Sequence, residues 1–208
     1  MRELCMKKHR SSGKLITFCG LDGCGKTTMI EMLKTKLEDD HNKVLVTKQP
    51  TSFMRKTDIF RNYMDSCDHS SYEYRSLSLM AAADRLQHSK NVILPALKEG
   101  FIVISDRYFY SCLANLRARG YYEDTWIYEI AKDIPMPDFS FFLDVPVRTA
   151  VKRVRSRPQE KDRYIDMDLQ YRLRREYVNI CNENKGFLID SKKEIEDTFF
   201  DICQCIFD

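Results

Sequence analysis

Nowhere in this sequence do about 18 apolar residues run together, so no segment has the length a membrane-spanning helix needs. The basic start, MRELCMKKHRSSGK, is followed by no apolar run of signal-peptide length, and the expectation is a soluble, cytoplasmic chain. Eight cysteines are present (Cys5, Cys19, Cys24, Cys67, Cys112, Cys181, Cys203 and Cys205), but there is no CxxC pair and no histidine at zinc-ligand spacing. They are expected to stay reduced, with Cys203 and Cys205 packing on a helix face beside Phe199, Ile202 and Ile206. A strong charge excess is missing as well: 34 Lys and Arg against 31 Asp and Glu leave +3, too little to predict nucleic-acid binding from bulk charge. No fixed-period repeat and no Pro/Gly/Ser-rich linker divides the 208 residues. The expected organisation is a loose basic tail over residues 1–13 and one domain over 14–208.

What the chain does have is a set of short apolar runs separated by segments of helical period. LITFC (Leu15 to Cys19), VLV (Val44 to Val46), FIVIS (Phe101 to Ser105), FSFFLD (Phe139 to Asp144) and FLID (Phe187 to Asp190) are uninterrupted, as strands buried on both faces are. Ile30, Leu33 and Leu37 follow the first run at i, i+3 and i+7, which predicts an amphipathic helix. A longer helix is predicted through Tyr72 to Glu99, interrupted near Pro95, and others from Ser111, Thr125, Pro146, Asp168 and Ile195. Strand and helix in alternation predict an α/β fold of three layers, a five-stranded parallel sheet wrapped by helices. Ligands of such sheets bind at the carboxyl ends of the strands, so the residues just after each strand carry the functional argument.

After the first strand stands Gly20-Leu21-Asp22-Gly23-Cys24-Gly25-Lys26-Thr27-Thr28, a match to GxxxxGK[ST] in the setting the motif requires. Its glycines allow the backbone to close around phosphate, and the helix N-terminus adds partial positive charge. Lys26 is placed to reach the β- and γ-phosphates of ATP, and the Thr27 hydroxyl to ligate Mg²⁺. The guanine-reading NKxD pattern is absent, because Asn42-Lys43 runs into Val44-Leu45 and Asn184-Lys185 into Gly186-Phe187, which disfavours a GTP switch. Cys24, inside the loop, reads either as an inert small side chain or as a thiol activated by the helix end.

The third strand ends in SDRYFYS, and an acid there, Asp106, suits a metal held through water while Arg107 suits a second phosphate. Arg61 and Arg85 are further candidates for that second site, each alone also compatible with a solvated surface position. Between Lys152 and Asp166, KRVRSRPQEKDRYID supplies six basic residues in a dozen. It fits a mobile lid over about 153–165 that closes on transferring phosphates; with Tyr164 its only aromatic, binding of nucleic-acid strands is not expected.

These pieces, together with TKQPT (Thr47 to Thr51), AADR, PDFSFFLDVPVRTAVKRVRSR, the lid's KDR and IDS (Ile189 to Ser191), resemble the thymidylate kinase family of nucleoside monophosphate kinases over nearly the whole chain. The resemblance implies Lys26 and Thr27 on Mg-ATP, Asp106 near the metal, Arg61, Arg85 and Arg107 on the acceptor nucleotide, and a homodimer. With no arginine in the phosphate loop, where Gly23 or Cys24 stands, it implies catalytic arginines in the lid: Arg155, Arg157 and Arg163. It also implies that Asp22 accepts a hydrogen bond from the acceptor's 3′-hydroxyl, the alternative being backbone bonding within a tight turn. Several positions depart from the family: Ala81 replaces a phenylalanine that stacks on thymine, Asn115 a tyrosine that crowds the sugar's 2′ position, and Lys48 and Gln49 an arginine and a glutamate before Pro50. The expected reaction is phosphorylation of dTMP; a different monophosphate, or a non-catalytic nucleotide-binding paralogue, is the alternative these departures leave open.

Overall fold

The five apolar runs form five strands in the computed structural model, which describes residues 3–66, 68–69 and 71–207; Cys67 lies outside them. The strands are β1 (Lys14–Cys19), β2 (Val44–Lys48), β3 (Ile102–Asp106), β4 (Phe139–Asp144) and β5 (Phe187–Asp190). All neighbours pair in parallel, in the order β2-β3-β1-β4-β5. The centre of the sheet is the driest place: Leu15, Phe18 and Cys19 of β1, Val103 and Ile104 of β3 and Phe141 of β4 have no exposed surface. Phe18 and Phe141 stack at 5.3 Å, and each such ring removed from water contributes about 2–3 kcal/mol.

Helices cover both faces. α1 (Lys26–Asp39) buries Met29, Ile30, Leu33 and Leu37, the stripe its period predicts. α2 (Ser52–Arg55) and α3 (Asp58–Asp65) follow β2 and are too short to show a period in the sequence. The long helix is α4 (Tyr74–His88), a π-turn at Ser89–Ile93, and α5 (Leu94–Lys98). The predicted interruption near Pro95 therefore falls just ahead of the proline, around Asn91, whose carbonyl a regular helix would press against the ring. α6 (Phe109–Ala118), α7 (Trp126–Ala131), α8 (Val147–Arg155), α9 (Met167–Glu183) and α10 (Ile195–Phe207) begin within two residues of the predicted starts. Among the described residues no helix is long and apolar enough to cross a membrane.

The first residues correct the expectation of a loose tail. Leu4 is buried, and its N–H donates to Asn184 Oδ1 at 3.0 Å. Lys7 pairs with Pro135 as a one-residue parallel bridge, and His9 Nε2 lies 3.1 Å from Asp138, which also accepts the Leu15 N–H. The basic composition of the segment conceals its two apolar anchors, Leu4 and Met6, both packed on the core.

Candidate active site

The phosphate loop joins β1 to α1, and its conformation follows from its glycines. Gly25 caps α1 at φ +96°, in the left-handed region. At Gly23 a Cβ would stand 2.2 Å from the carbonyl oxygen of Ala150 on α8, so only glycine lets that helix lie against the loop. Lys26 is buried against the loop, its Nζ donating to the carbonyls of Gly20 (3.2 Å) and Leu21 (2.8 Å). Thr27 and Thr28 are exposed in the first turn of α1, while Leu21 and Cys24 are buried. The Cys24 sulfur lies 3.6 Å from the Lys26 ammonium.

Parallel pairing places the end of β3 beside this loop, with Asp106 in register with Phe18 on one side and Lys48 on the other. Asp106 is 8% exposed; its Oδ2 pairs with Lys48 Nζ at 2.7 Å, and its Oδ1 has no hydrogen-bond partner among the described residues. Arg107 adopts a left-handed backbone, φ +67°, which turns its N–H to the Phe18 carbonyl at 2.8 Å. Its guanidinium then reaches back across the loop to Gly20 O (3.3 Å), to the Tyr177 hydroxyl of α9 (3.1 Å) and to Asp22. Burial opposes the charge on Arg107, but Asp22 and Tyr177 outweigh it and hold the group above its ordinary value of 12.5. The same contact, aided by Lys26 and Arg163 and resisted by burial, holds the Asp22 carboxyl well below its ordinary 3.8.

Asp22 is thus the meeting point of two arginines. One oxygen binds Arg107 and the other lies 3.5 Å from Arg163, which also pairs with Glu160 at 3.0 Å. The segment expected as a lid overlaps the end of α8 and contains a short 3₁₀ turn at Pro158–Glu160; its Arg163 touches the phosphate loop at the Asp22 carboxylate.

Beside the loop opens a cavity of about 490 Å³, walled by α4, α6, α9 and the 153–165 segment. Arg85, Arg107, Arg157 and Arg163 all line it, as do Asp22, Ala81 and Asn115. Arg85 is 3% exposed, anchored by Nη1 to the Ala81 carbonyl at 2.9 Å. Two expected residues are not brought there. Arg61 is exposed on α3, because that helix turns Phe60 and Tyr63 inward; Arg55 on α2 lines the cavity instead. Arg155 is exposed at the end of α8, one residue past Val154, which takes the inward position.

The sequence reading missed a cluster at the far end of the cavity. Arg119, at the end of α6, lies with its guanidinium carbon 3.9 Å from the centroid of the Tyr74 ring. Its Nε donates to the Tyr63 hydroxyl (3.1 Å) and its Nη1 to Asn115 Oδ1 (2.8 Å). Tyr74, Ser78, Ala81 and Arg85 share the cavity wall at i, i+4, i+7 and i+11 of α4, a spacing visible in the sequence once Arg85 is taken as the anchor. Behind the phosphate loop, Arg153 donates to Ser191 O (3.2 Å) and to Gly23 O (3.5 Å), tying the loop to the end of β5. Among the described residues no group of three or more His, Cys, Asp or Glu is arranged to hold a metal. The arrangement offers donors suited to phosphate in two places: the loop at Lys26 and the cavity arginines.

Comparison with known proteins agrees with this geometry. A family model described as thymidylate kinase matches residues 18–202. The chain is 36% identical over 193 residues to the "Probable thymidylate kinase" of Pyrococcus horikoshii, covering 91% of this chain and 94% of that protein. It is 34% identical over 195 residues to the "Thymidylate kinase" of Mesoplasma florum (88% and 90% covered), and 30% over 195 residues to that of Geobacillus sp. (90% and 92%). A phosphate loop, an adjoining arginine-lined cavity and these matches along nearly the full length make the chain a member of the thymidylate kinase family, whose members are nucleoside monophosphate kinases.

Proposed function

We propose that the chain transfers the γ-phosphate of ATP to the 5′-phosphate of dTMP, giving ADP and dTDP. The observation that carries this is the convergence of Arg85, Arg107, Arg157 and Arg163 on one cavity that shares Asp22 with the phosphate loop. A nucleotide in that cavity brings its phosphate up to the γ-phosphate held at Lys26. Phosphoryl transfer asks the protein for alignment and charge neutralisation, with little covalent chemistry. In this reading Lys26 binds the β- and γ-phosphates, Arg85 and Arg107 hold the acceptor phosphate, and Arg157 and Arg163 neutralise the oxygens of the group in flight. Residues 153–165 act as the lid, closing through the Arg163–Asp22 contact, and Asp22 accepts the acceptor's 3′-hydroxyl.

The residues present fit Mg²⁺. Asp106 keeps one buried oxygen without a hydrogen-bond partner, Thr27 offers a hydroxyl at the start of α1, and Mg²⁺ takes most of its ligands from phosphate and water. Bound there, the ion neutralises charge on the transferred phosphate. A homodimer and a cytoplasmic location accompany this reading. Incubation with Mg-ATP and each common ribo- and deoxynucleoside monophosphate tests it: dTMP should give ADP and dTDP in equal amounts. No ADP from any acceptor would favour a nucleotide-binding protein without catalysis.

A further inference from the structure

Lys48 closes β2, and the sheet register sets it beside Asp106, which closes β3. Side chains in register on neighbouring strands project from the same face, so the sheet itself builds the pair. Lys48 Nζ lies 2.7 Å from Asp106 Oδ2. The two partners differ in their surroundings. The Asp106 side chain is 12% exposed and its Oδ1 is buried, so the accessible part of the carboxylate lies on the side that Lys48 covers. The Lys48 side chain is 46% exposed and lines the acceptor cavity together with Asp22 and Arg107.

A carboxylate this far from water is costly to leave unpaired, and the ammonium of Lys48 meets that need. It does so as a point charge on a flexible four-carbon stem, through one short contact, where a guanidinium would engage with a rigid fork. Two cations drawn to one carboxylate oxygen repel each other, so Lys48 and Mg²⁺ compete for Asp106. We propose that Lys48 is a displaceable counter-ion: it neutralises Asp106 before the metal arrives, then yields Oδ2 and turns its ammonium to the acceptor phosphate in the cavity it already lines. This rests on the reading of Asp106 and of the cavity given above. Charge stays matched at each stage, since the carboxylate passes from one cation to another and the released ammonium meets an anion. Metal and acceptor are thereby coupled through one side chain, and the coupling is reciprocal: each raises the protein's affinity for the other.

The test measures binding of Mn²⁺, standing in for Mg²⁺, by electron paramagnetic resonance, with and without dTMP, in the wild type, Lys48→Met and Lys48→Arg. In the wild type dTMP should tighten Mn²⁺ binding about fivefold or more, the lower end of ordinary coupling between sites. Without dTMP, Lys48→Met should bind Mn²⁺ about threefold or more tighter than the wild type, its competitor being gone, and dTMP should then add less than about twofold. Its KM for dTMP should rise about tenfold, the worth of one charge-assisted bond. Lys48→Arg keeps the charge but holds the carboxylate more firmly, so it should bind Mn²⁺ more weakly than the wild type and show less coupling. A merely structural pair would give the reverse order, with Lys48→Met weakening Mn²⁺ binding and Lys48→Arg restoring it, and that result would overturn the inference. Coupling as large in Lys48→Met as in the wild type overturns it too, while turnover of dTMP by the wild type leaves the dTMP reading standing. Absence of turnover with every acceptor overturns both.

Discussion

Asp22 puts a negative charge inside a loop that holds phosphate, and its surroundings explain why that is tolerated: Arg107 and Arg163 each take one of its oxygens. The carboxylate holds Arg107 and, in the proposed reading, gives the lid segment something to close on. Asp22→Asn should therefore raise KM for the acceptor by about tenfold, the worth of one charge-assisted bond, while leaving ATP affinity within about twofold. Initial rates with each substrate varied in turn check this, and equal effects on both substrates would contradict it. This part of the site was legible in the sequence. The loop and Arg107 follow strand ends that apolar runs reveal, Asp106 closes such a strand, and Arg157 and Arg163 stand in a basic run after α8. Arg61 and Arg155 were misplaced for a reason of another kind: a helix face shifts by 100° per residue, so a basic residue one place off the inward position points to water.

Among the elements, β2 and α4 are joined by polar contacts rather than by packing alone. The His88 ring bonds Thr47 Oγ1 at 2.8 Å and Gln49 Nε2 at 3.0 Å, and Gln49 also lines the cavity. Burial pushes the His88 imidazole below its ordinary 6.5, with Asp84 pulling the other way. Because the folded form binds its proton less readily than the unfolded form, this contribution to stability is complete above about pH 6.5. It is lost as the pH falls from there toward the lower folded value. The melting temperature should decline between pH 7 and pH 5.5, and His88→Gln, which cannot take up that proton, should flatten this part of the curve. An unchanged slope in the variant would show that the protonation occurs elsewhere. No sequence pattern announces this clamp, since His88, Thr47 and Gln49 are distant in the chain and meet only when β2 lies beside the end of α4. Nor does one announce Arg119, whose stacking on Tyr74 joins two helices 45 residues apart.

For the whole molecule, the sheet, its order and the position of the site at its carboxyl edge follow from alternating apolar runs and helical periods, whereas the docking of the first residues does not. A segment whose composition is basic can still be fixed by one or two apolar side chains, and Leu4 is 4% exposed. Leu4→Ala should cost about 2 kcal/mol or more, as expected for a buried leucine, whereas Phe53→Ala, at a ring 80% exposed, should cost under about 0.5 kcal/mol. Chemical denaturation of both variants measures the contrast, and equal costs would mean that the segment is not held. The central claim concerns the two phosphate sites acting on one another, and the direct measurement is product stoichiometry. With Mg-ATP and dTMP, ³¹P NMR should show ADP and dTDP rising one for one. Lys26→Met should lower the rate by about 100-fold or more with the fold retained. ADP formed without dTDP, or a Lys26→Met variant as fast as the wild type, would contradict the account.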